Sequence, residues 1–465
     1  MNERDNETLE KRNVCVLGQG YVGLTLSAVL AQSGFDVVGL EKDDERYEQL
    51  TRGVPHFDEP ELAKTISTQR ELGTLRFGRS TDHPDAGHAS AYIIAVGSPL
   101  DENKTPNTSI VESAVDSVTG VLESGDLVVL RSTIPVGTSE RIVDQIETET
   151  GLEVGKTLSL VHAPERTLQG AALRELRHLP QVIGADDRGS VIEAERLFRH
   201  VTDTILRVES LRAAELVKLM DNTYRDVTIA LGNAFGEIAR SHGLDGTRLI
   251  QAANKGYDRN QIKSPGLGVG GGCLPKDPYL VLESLPDDTE PGLSAATSLI
   301  RDARQLNESM PHIATDQLEA ALSDLDKGSA ELRSLVFGIA FKGEPATNDI
   351  RHTPAKPVID FLTERGPVDG YDPNVEPEKI ASLGARPVTD DDATVTDVAT
   401  RDAYDVIVLA NNNPAFKELE LASVADAAPP DAVLLDGWNL LDERTVEQMG
   451  LSYVAVGGNM TSHRF

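Results

Sequence analysis

The sequence predicts an α/β protein in which two Rossmann-like, doubly wound parallel-sheet domains are joined by a central helical segment with a long helix. A glycine-rich turn between an apolar strand and a helix lies near the N-terminus. Residues 210–242 have helical periodicity and contain no proline, and a second series of apolar strands begins near residue 334. Strands that alternate with helices form parallel sheets covered on both faces. We expect the domains to be residues 1–207, 208–328 and 329–465.

Composition indicates a multidomain globular protein without a disulfide framework. The chain of 465 residues, 39% of them hydrophobic, exceeds the size of one ordinary core. Two cysteines, Cys15 and Cys273, are too few for such a framework, which suits a reducing compartment. The charged N-terminus, residues 1–12, and the lack of a long apolar run argue against a secretory signal or a membrane span. We therefore expect a cytoplasmic protein with no membrane partner.

Acidic residues outnumber basic residues 75 to 44 and are spread along the chain, so the net charge is −31. Nucleic-acid binding requires a basic surface, and we therefore expect no nucleic-acid partner. Dispersed acidity is typical of proteins that work in a high-salt cytoplasm, where screening weakens the repulsion between like charges. An ordinary acidic enzyme is the alternative interpretation.

The first strand leads into a dinucleotide-binding pattern. Residues 13–18 are apolar and rich in β-branched side chains, and residues 18–23 have the spacing G-x-G-x-x-G before a helix over 24–32. A second strand over 35–40 ends at Glu41, about 20 residues after the turn, where an acid accepts a hydrogen bond from a ribose hydroxyl. Because a carboxylate also repels a 2′-phosphate, the pattern predicts NAD rather than NADP.

Three more strands of the same sheet are predicted at residues 91–96, 127–131 and 158–161, and each is followed by a loop with polar residues, glycine or proline. In an open parallel sheet, the loops at the carboxyl ends of the strands line the ligand crevice. Thr133 and Glu165 follow two of these strands, so topology alone places them at that edge.

The long predicted helix carries three polar side chains near one face. Lys218 and Asn222 are four residues apart, and Arg225 follows three residues later. Polar residues on a helix usually face solvent, but small and apolar residues continue this stripe, which indicates a covered face. Helical segments continue to about residue 322, and a polar segment over 323–330 marks a domain boundary.

The glycine-rich run 266–272 ends at Cys273, and Lys276 and Asp277 follow. Glycine has no Cβ, so backbone can approach a ligand closely there. A cysteine beside such a loop, with a cationic neighbour that favours the thiolate, is a candidate nucleophile. The alternative is a buried, unreactive thiol in a turn.

A second α/β unit is predicted from strands at residues 334–340, 368–371, 404–410 and 432–436 and a helix over 357–365. It contains no G-x-G-x-x-G motif. We therefore expect it to bind a nucleotide other than a second NAD.

Past residue 13, essentially the full chain resembles the UDP-glucose/GDP-mannose dehydrogenase family of nucleotide-sugar dehydrogenases. The resemblance rests on an ordered set of motifs at residues 18–23, 97–100, 132–138, 214–222, 270–277, 341–342 and 349–351. It implies an NAD-binding first domain, a central domain that dimerises and carries the catalytic loop, and a third domain that binds the UDP-sugar. It also implies a homodimer or higher homo-oligomer.

The reaction implied by the resemblance is a four-electron oxidation of the sugar C6 hydroxyl. The alcohol gives a hydride to NAD, the Cys273 thiolate adds to the aldehyde, a second hydride transfer gives a thioester, and water releases a uronic acid. Lys218 would stabilise oxyanion charge or shuttle protons, and Glu165 and Thr133 would position the water. The full implied catalytic set is Cys273, Lys218, Glu165, Thr133, Asn222 and Asp277.

The resemblance also assigns binding residues, and we expect no metal site. The expected cofactor contacts are Gly18, Gly20, Tyr21, Val22, Gly23, Glu41, Arg46, Ser98, Thr133 and Arg351. The expected substrate contacts are Glu165, Arg166, Thr167, Leu168, Lys218, Asn222, Arg225, Tyr257, Arg259, Gly270, Phe341 and Lys342. Among these, Lys342 would meet the phosphates, and Arg259 would reach the sugar bound by a neighbouring subunit.

Motif variants favour an N-acetylhexosamine substrate. Residues 164–170 and 222–227 resemble the N-acetylhexosamine form of the family, whereas residues 274–276 resemble the glucose form. We therefore expect UDP-N-acetyl-D-mannosamine, oxidised to UDP-N-acetyl-D-mannosaminuronate, with UDP-glucose and UDP-N-acetylglucosamine as alternatives. A hydroxyacid-type dehydrogenase, which transfers one hydride and needs no thiol, is an alternative of a different class.

Overall fold

The computed structural model describes residues 13–285, 291–325, 331–389 and 393–458. The described chain forms two compact units. The first contains the residues up to Asp221 and a short segment from Tyr279, and the second contains Asn222–Pro278 and the residues from 291 onward. The charged residues 1–12 and the predicted boundary at 328 lie outside the described residues, and the boundary at 207 stays a prediction.

The first unit is built on one large sheet. Its strands are β1 (Asn13–Leu17), β2 (Asp36–Leu40), β3 (Leu75–Gly78), β4 (Ala91–Ile94), β5 (Leu127–Leu130), β6 (Ser159–His162), β7 (Gln181–Gly184) and β8 (Ile205–Val208). Within the described ranges they pair in the order β3-β2-β1-β4-β5-β6-β7-β8, and the first six run parallel. The five strands predicted for this region are confirmed.

The last two strands depart from the predicted parallel arrangement. β7 pairs antiparallel with β6 through one residue pair, His162 and Gly184, and β8 is parallel to β7. A Cβ on Gly184 would lie 2.2 Å from the carbonyl oxygen of Ser210, so glycine is required where β7 ends. Reversed strands at the edge of an otherwise parallel sheet are common, and no sequence motif indicates this one.

Helices cover both faces of the sheet. Along β1 the side chains alternate, with Val14 and Val16 in one buried apolar cluster and Cys15 and Leu17 in another, as a sheet with two buried faces requires. The helices of this unit are α1 (Tyr21–Gln32), α2 (Asp44–Thr51), α3 (Leu62–Glu71), α4 (Ser109–Thr119), α5 (Thr138–Thr150), α6 (Ala172–His178) and α7 (Arg188–Phe198).

The long predicted helix is confirmed as α8 (Leu211–Ser241), which has 31 residues. Its alanines, leucines and long charged residues favour helix, and no proline interrupts it. It begins in the first unit and continues into the second. The helices that follow are α9 (Gly246–Asn254), α10 (Asp277–Glu283) and α11 (Pro291–Asp324). No helix among the described residues is both long and apolar enough to cross a membrane.

The second unit contains a fully parallel sheet of doubly wound topology. Its strands are β9 (Ser334–Phe337), β10 (Val368–Tyr371), β11 (Arg386–Pro387), β12 (Val406–Leu409), β13 (Val433–Asp436) and β14 (Ser452–Ala455), paired in the order β11-β10-β9-β12-β13-β14. Its helices are α12 (Ala355–Thr363), α13 (Pro377–Ser382), α14 (Val395–Ala399), α15 (Leu421–Ala427) and α16 (Glu443–Gln448), with a 3-10 helix at Pro414–Glu418. The predicted fold class is thereby confirmed.

Candidate active site

The glycine turn after β1 has the geometry that a dinucleotide pyrophosphate needs. Gly18 has a φ of +84°, and a Cβ on Gly23 would lie 1.9 Å from the Gly18 carbonyl oxygen. A Cβ on Gly20, by contrast, would meet no atom within 4 Å, so space is open beside the turn. Tyr21 and Val22 begin α1 directly after it. This arrangement fits a pyrophosphate held against the first turn of α1.

Glu41 lies at the carboxyl end of β2, beside the glycine turn. Its buried carboxylate accepts hydrogen bonds from the backbone N–H groups of Gln19 at 3.2 Å and Asp43 at 3.0 Å. A carboxylate has further lone pairs, so it can still accept from a ribose hydroxyl. Arg46 is exposed on α2. Burial, and then the Arg46 charge, lower the pKa of His56 to about 4, so Arg46 rather than His56 is the cation here at neutral pH.

The loops that follow β4 and β5 are fixed to each other by two serines. Ser98 Oγ donates to the carbonyl oxygen of Thr133, and Ser132 Oγ donates to that of Val96 at 2.7 Å. Thr133 is half-buried and lies three residues after β5 ends. The structure therefore brings together Ser98 and Thr133, both predicted as cofactor contacts.

Glu165, which follows β6, is a buried carboxylate. It is ion-paired with Arg131, which follows β5 and is itself buried. Its other oxygen accepts from the N–H groups of Arg166 and Thr167, both at 2.7 Å. Burial alone would raise the pKa of Glu165, but Arg131, the Thr167 N–H and the Lys218 charge together hold that pKa below its usual value. Glu165 is therefore ionised at neutral pH, and it is better suited to orient a water or a cation than to take up a proton.

Arg131 is a site residue that the sequence analysis missed. Its guanidinium also donates to the carbonyl oxygen of Ala163 and to the side-chain oxygen of Gln181, both at 3.0 Å. It lies over the Phe198 ring, 5.6 Å from the ring centroid. In the sequence, Arg131 is the last residue of a predicted apolar strand, and its place at the carboxyl edge of the sheet is the one signal that could have found it.

Lys218 is buried on α8, and its helix is anchored to the loop that carries Thr133. Three residues earlier, Glu215 accepts hydrogen bonds from the N–H groups of Gly137 at 2.6 Å and Ser139 at 2.7 Å. The Lys218 charge also acts on the buried carboxylate that follows β6. Within the first unit, Lys218 therefore interacts by charge with Glu165, and Glu215 ties the same helix to the loop that follows β5.

The arginines on which the substrate interpretation depends differ in their surroundings. The Arg166 guanidinium donates to the carbonyl oxygen of Pro180 at 2.7 Å and lies 3.3 Å from the carboxylate of Asp221. Arg225 is exposed, whereas Asn222, one turn earlier, is buried. The buried polar stripe of α8 continues from Lys218 and Asn222 to Asp226, four residues apart in each step, and Arg225 lies outside this stripe.

In the second unit, Cys273 is an exposed thiol at the end of the glycine run. Its carbonyl oxygen accepts from the backbone N–H groups of Lys276 and Asp277, both at 2.9 Å, so the chain turns into α10 directly after the thiol. The Asp277 carboxylate accepts from Asn222 Nδ2 and pairs with Lys276 at 2.9 Å. Cys273 is exposed, so the prediction of a buried thiol is wrong for it. Cys15 is the buried cysteine, and burial raises its pKa to about 12.

The glycines before Cys273 let Arg351 approach the thiol. A Cβ on Gly272 would lie 2.7 Å from the Arg351 guanidinium, and Gly271 donates its N–H to the Arg351 carbonyl oxygen at 2.9 Å. The hydrogen bond from Arg351 to Asp349 raises the pKa of this arginine, and Cys273 lies close enough to contribute to the rise. Arg351, predicted as a cofactor contact, thus lies beside the candidate nucleophile.

Three predicted substrate contacts, Gly270, Phe341 and Lys342, lie close together in the second unit. A Cβ on Gly270 would lie 2.8 Å from the Phe341 side chain. The Lys342 ammonium lies 5.6 Å from the centroid of the Phe341 ring. The loop therefore carries a cation next to an aromatic face, which suits a phosphate-bearing nucleotide.

A buried polar network that the sequence analysis missed fixes both ends of the glycine loop. Asn233 on α8 accepts from the N–H of Gly266 at 2.9 Å and donates to Asn307 on α11 at 3.0 Å. Asn307 donates to Asp226 at 2.9 Å. Asp226 is ion-paired with Arg304, which also lies 3.3 Å from the carbonyl oxygen of the residue after the thiol. These side chains lie on helices of ordinary periodicity, so no local motif indicates them.

Two further predicted substrate contacts, Tyr257 and Arg259, lie at or next to a small cavity of the second unit. Tyr257 is 49% exposed, and the Arg259 guanidinium lies 5.6 Å from its ring centroid. The cavity has a volume of about 260 Å³ and is lined by Asn254, Tyr257, Asp258, Asn260, Gln261, Ile262 and Lys263.

A dinucleotide turn with its ribose acid in one unit, and an exposed thiol beside a second nucleotide-type sheet in the other, define an NAD-dependent nucleotide-sugar dehydrogenase. Three domain models of one family match the chain: the NAD binding domain at residues 12–202, the central domain at 212–309 and the UDP binding domain at 335–443. The chain therefore belongs to the UDP-glucose/GDP-mannose dehydrogenase family. This confirms the resemblance and the NAD cofactor, and it decides against the hydroxyacid-type alternative.

Relatives of known name agree with this assignment. The UDP-N-acetyl-D-mannosamine dehydrogenase of Pyrococcus horikoshii is 35% identical over 434 residues, which cover 93% of this chain and 97% of the relative. The enzyme of the same name from Escherichia coli is 32% identical over 400 residues, which cover 83% of this chain and 91% of the relative. A solved UDP-D-ManNAc dehydrogenase from Pyrococcus horikoshii has a TM-score of 0.84 at 34% identity, with 96% and 99% coverage. A solved UDP-glucose dehydrogenase from Pyrobaculum islandicum has a TM-score of 0.81 at 27% identity, with 97% and 99% coverage.

Proposed function

We propose that the enzyme oxidises UDP-N-acetyl-D-mannosamine to UDP-N-acetyl-D-mannosaminuronate in two hydride-transfer steps. Relatives that bear this substrate in their names support the choice of sugar. The exposed Cys273 thiol at the end of a glycine loop is the observation that carries the chemistry, since a single hydride transfer needs no thiol. NAD, when bound, accepts the hydride in each oxidation.

Cys273 acts on the aldehyde left when the C6 alcohol has lost a hydride and a proton. Its thiolate forms a C–S bond to the aldehyde carbon, and the carbonyl oxygen takes up a proton to give a thiohemiacetal. Loss of the second hydride and of the hydroxyl proton gives a thioester. Water then attacks the thioester carbon, the C–S bond breaks, and the sugar leaves as a carboxylate with the thiol restored.

The other predicted catalytic residues support these steps. Lys218 and Asn222 are four residues apart on one continuous helix, so their side chains project from the same side of it. We assign Lys218 to the oxyanion charge, and Asn222 with Asp277 to the proton network of the hydrolytic water. Glu165, held as an anion, balances the Lys218 charge and orients the water together with Thr133.

The experiment is the ratio of NADH to UDP-sugar consumed, measured with UDP-N-acetyl-D-mannosamine, UDP-N-acetylglucosamine and UDP-glucose. We expect two molecules of NADH for each UDP-N-acetyl-D-mannosamine. Cys273→Ser should abolish net uronate formation, while the matched control Cys15→Val, at the buried cysteine of β1, should keep most of the parent activity. A serine variant that forms uronate within a few-fold of the parent rate would rule out the thiol mechanism. A clear preference for UDP-glucose would overturn the substrate and leave that mechanism standing.

The same assay in molar KCl and in dilute buffer tests the proposal that the net charge of −31 reflects a high-salt cytoplasm. Screening by salt relieves repulsion among the dispersed carboxylates. Activity should therefore be greater in KCl if that interpretation holds.

We further propose that the protein works as a homodimer or higher homo-oligomer that uses α8 as its interface. Exposed apolar side chains recur along this helix at helical spacing: Leu216, Met220, Tyr224, Leu231, Phe235 and Ile238. A long exposed apolar stripe is unusual on a monomer and is typical of interfaces. In such an assembly, the exposed Arg259 would be available to the sugar of a neighbouring subunit. Light scattering should give at least the mass of a dimer, and a monomer would contradict the proposal.

A further inference from the structure

Glu59 is a buried carboxylate outside every motif described above. It precedes α3 and is 8% exposed. One oxygen accepts from the Tyr21 hydroxyl at 2.7 Å and from the Gly170 N–H at 2.8 Å. The other oxygen accepts from the Ala172 N–H at 2.7 Å. A carboxylate with three donors, none of them a salt-bridge partner, joins parts of the chain that are far apart in sequence.

The donors belong to two functional segments of the first unit. Tyr21 is the first residue of α1, directly after the glycine turn, and its hydroxyl also lies 3.3 Å from the Leu168 carbonyl oxygen. Ala172 is the first residue of α6, whose own N-cap residue provides no side-chain hydrogen bond. Glu59 therefore caps α6 from a distance. In doing so it holds the end of the segment 165–172, which follows β6 and carries the predicted sugar-nucleotide contacts.

Burial keeps the Tyr21 hydroxyl a donor. Burial raises the pKa of Tyr21, the hydrogen bond to Glu59 raises it further, and the Glu165 charge acts in the same direction. The Tyr21 ring also packs against the ring of Phe57, with centroids 5.1 Å apart. The segment that contains Phe57 and Glu59 thus holds both the ring and the hydroxyl of Tyr21.

We propose that Glu59 and Tyr21 are positioning residues that couple NAD binding to the order of segment 165–172. A pyrophosphate held at the first turn of α1 restrains Tyr21. That restraint reaches Gly170 through the carboxylate oxygen that it shares with Tyr21, and Ala172 through the other oxygen of Glu59. Segment 165–172 is then already ordered when the sugar nucleotide binds, so that binding costs less conformational entropy. The coupling rests on NAD, the established cofactor, and on the proposed function only for the identity of the second ligand.

The test is backbone hydrogen exchange of residues 165–173 in the full enzyme, with and without NAD at a concentration that saturates each variant. In the parent, NAD should slow exchange at least about threefold. Tyr21→Phe keeps the ring and both N–H bonds of Glu59 but removes the linking hydroxyl, so the NAD effect should disappear. Tyr47→Phe, in α2 and outside this cluster, is the matched control and should keep it.

A second variant, Glu59→Gln, distinguishes the capping of α6 from the coupling between NAD binding and segment 165–172. A glutamine offers one acceptor oxygen in place of two, so one of the N–H groups of Gly170 and Ala172 loses its acceptor and exchanges faster with or without NAD. An NAD effect of equal size in the parent and Tyr21→Phe, or no NAD effect in the parent, would overturn the proposal. A mistaken choice of sugar would not affect these readings, because they use NAD alone. With the true sugar nucleotide, Tyr21→Phe should raise KM more than it lowers kcat.

Discussion

Replacing Arg131 by methionine would leave the carboxylate of Glu165 in place without its buried cation. The Arg131 side chain is 1% exposed, and that of Glu165 is 8% exposed. Methionine is similar in length and apolar, so it fills much of the space but donates no hydrogen bond. Removing one partner of a buried ion pair typically costs about 3–5 kcal/mol, because an uncompensated charge remains. The lost bonds to Ala163 and Gln181 act in the same direction.

The loss should depend on pH in a defined direction. In the parent, the folded-state pKa of Glu165 is below the unfolded value of about 4.3, so its contribution to stability is present above that value and is lost as pH falls through the folded pKa. In the variant, burial without Arg131 raises the pKa of Glu165. The carboxylate then destabilises the fold at neutral pH and is relieved by taking up a proton. The difference in unfolding free energy between parent and variant should therefore shrink from about pH 7 towards pH 4.

Urea unfolding of the full enzyme across this pH range measures the difference. Adding Glu165→Gln to the methionine variant removes the unpaired charge and should recover a large part of the loss at neutral pH. The matched control is Arg212→Met, which breaks an exposed pair with Glu140 and should change stability little. A loss that is independent of pH, or one as small as that of Arg212→Met, would refute the reasoning.

Two further predictions concern the NAD site. Gly23→Ala places a methyl group 1.9 Å from the Gly18 carbonyl oxygen, so α1 must move away from the turn, and calorimetry should show NAD affinity reduced at least tenfold, about 1.4 kcal/mol. Gly120→Ala, where a Cβ meets no atom within 4 Å, should bind NAD like the parent, and equal effects at both glycines would contradict the argument. NADP should be used at least tenfold less efficiently than NAD, because Glu41 repels the 2′-phosphate. Equal kcat/KM for the two cofactors would show that Arg46 binds that phosphate instead.

Much of the first unit could be predicted because its signals are local. The glycine turn and Glu41 follow from spacing within one strand-helix-strand unit, and Thr133 and Glu165 follow from the rule that parallel strands end at one edge. The same rule could have placed Arg131 there. Its pairing with Glu165 could not be predicted, because it joins residues that follow two different strands and depends on burial that no single segment reveals.

The polar network that fixes the glycine loop could not be predicted either, because it joins residues that are far apart in the sequence. Asp226 and Arg304 lie on different helices, and each looks like an ordinary charged position until the helices pack. The reversed strands β7 and β8 are joined to the sheet by one residue pair, which leaves no periodic signal. Arg225 is exposed although Asp226, the next residue, is fully buried, and the sequence of the helix alone does not show which of the two faces the packed side.

The contacts made along α8 limit which insertions and deletions this chain can accept. Asn222, Asp226 and Asn233 lie on this one helix within the second unit, where they contact Asp277, Arg304 and Gly266 respectively. Deleting one residue among them would turn every later side chain by about 100° and move it by about 1.5 Å along the axis. Surface loops can lengthen or shorten at little cost. Related sequences can therefore exchange residues between positions 222 and 233, but a change in the number of residues there would break these contacts.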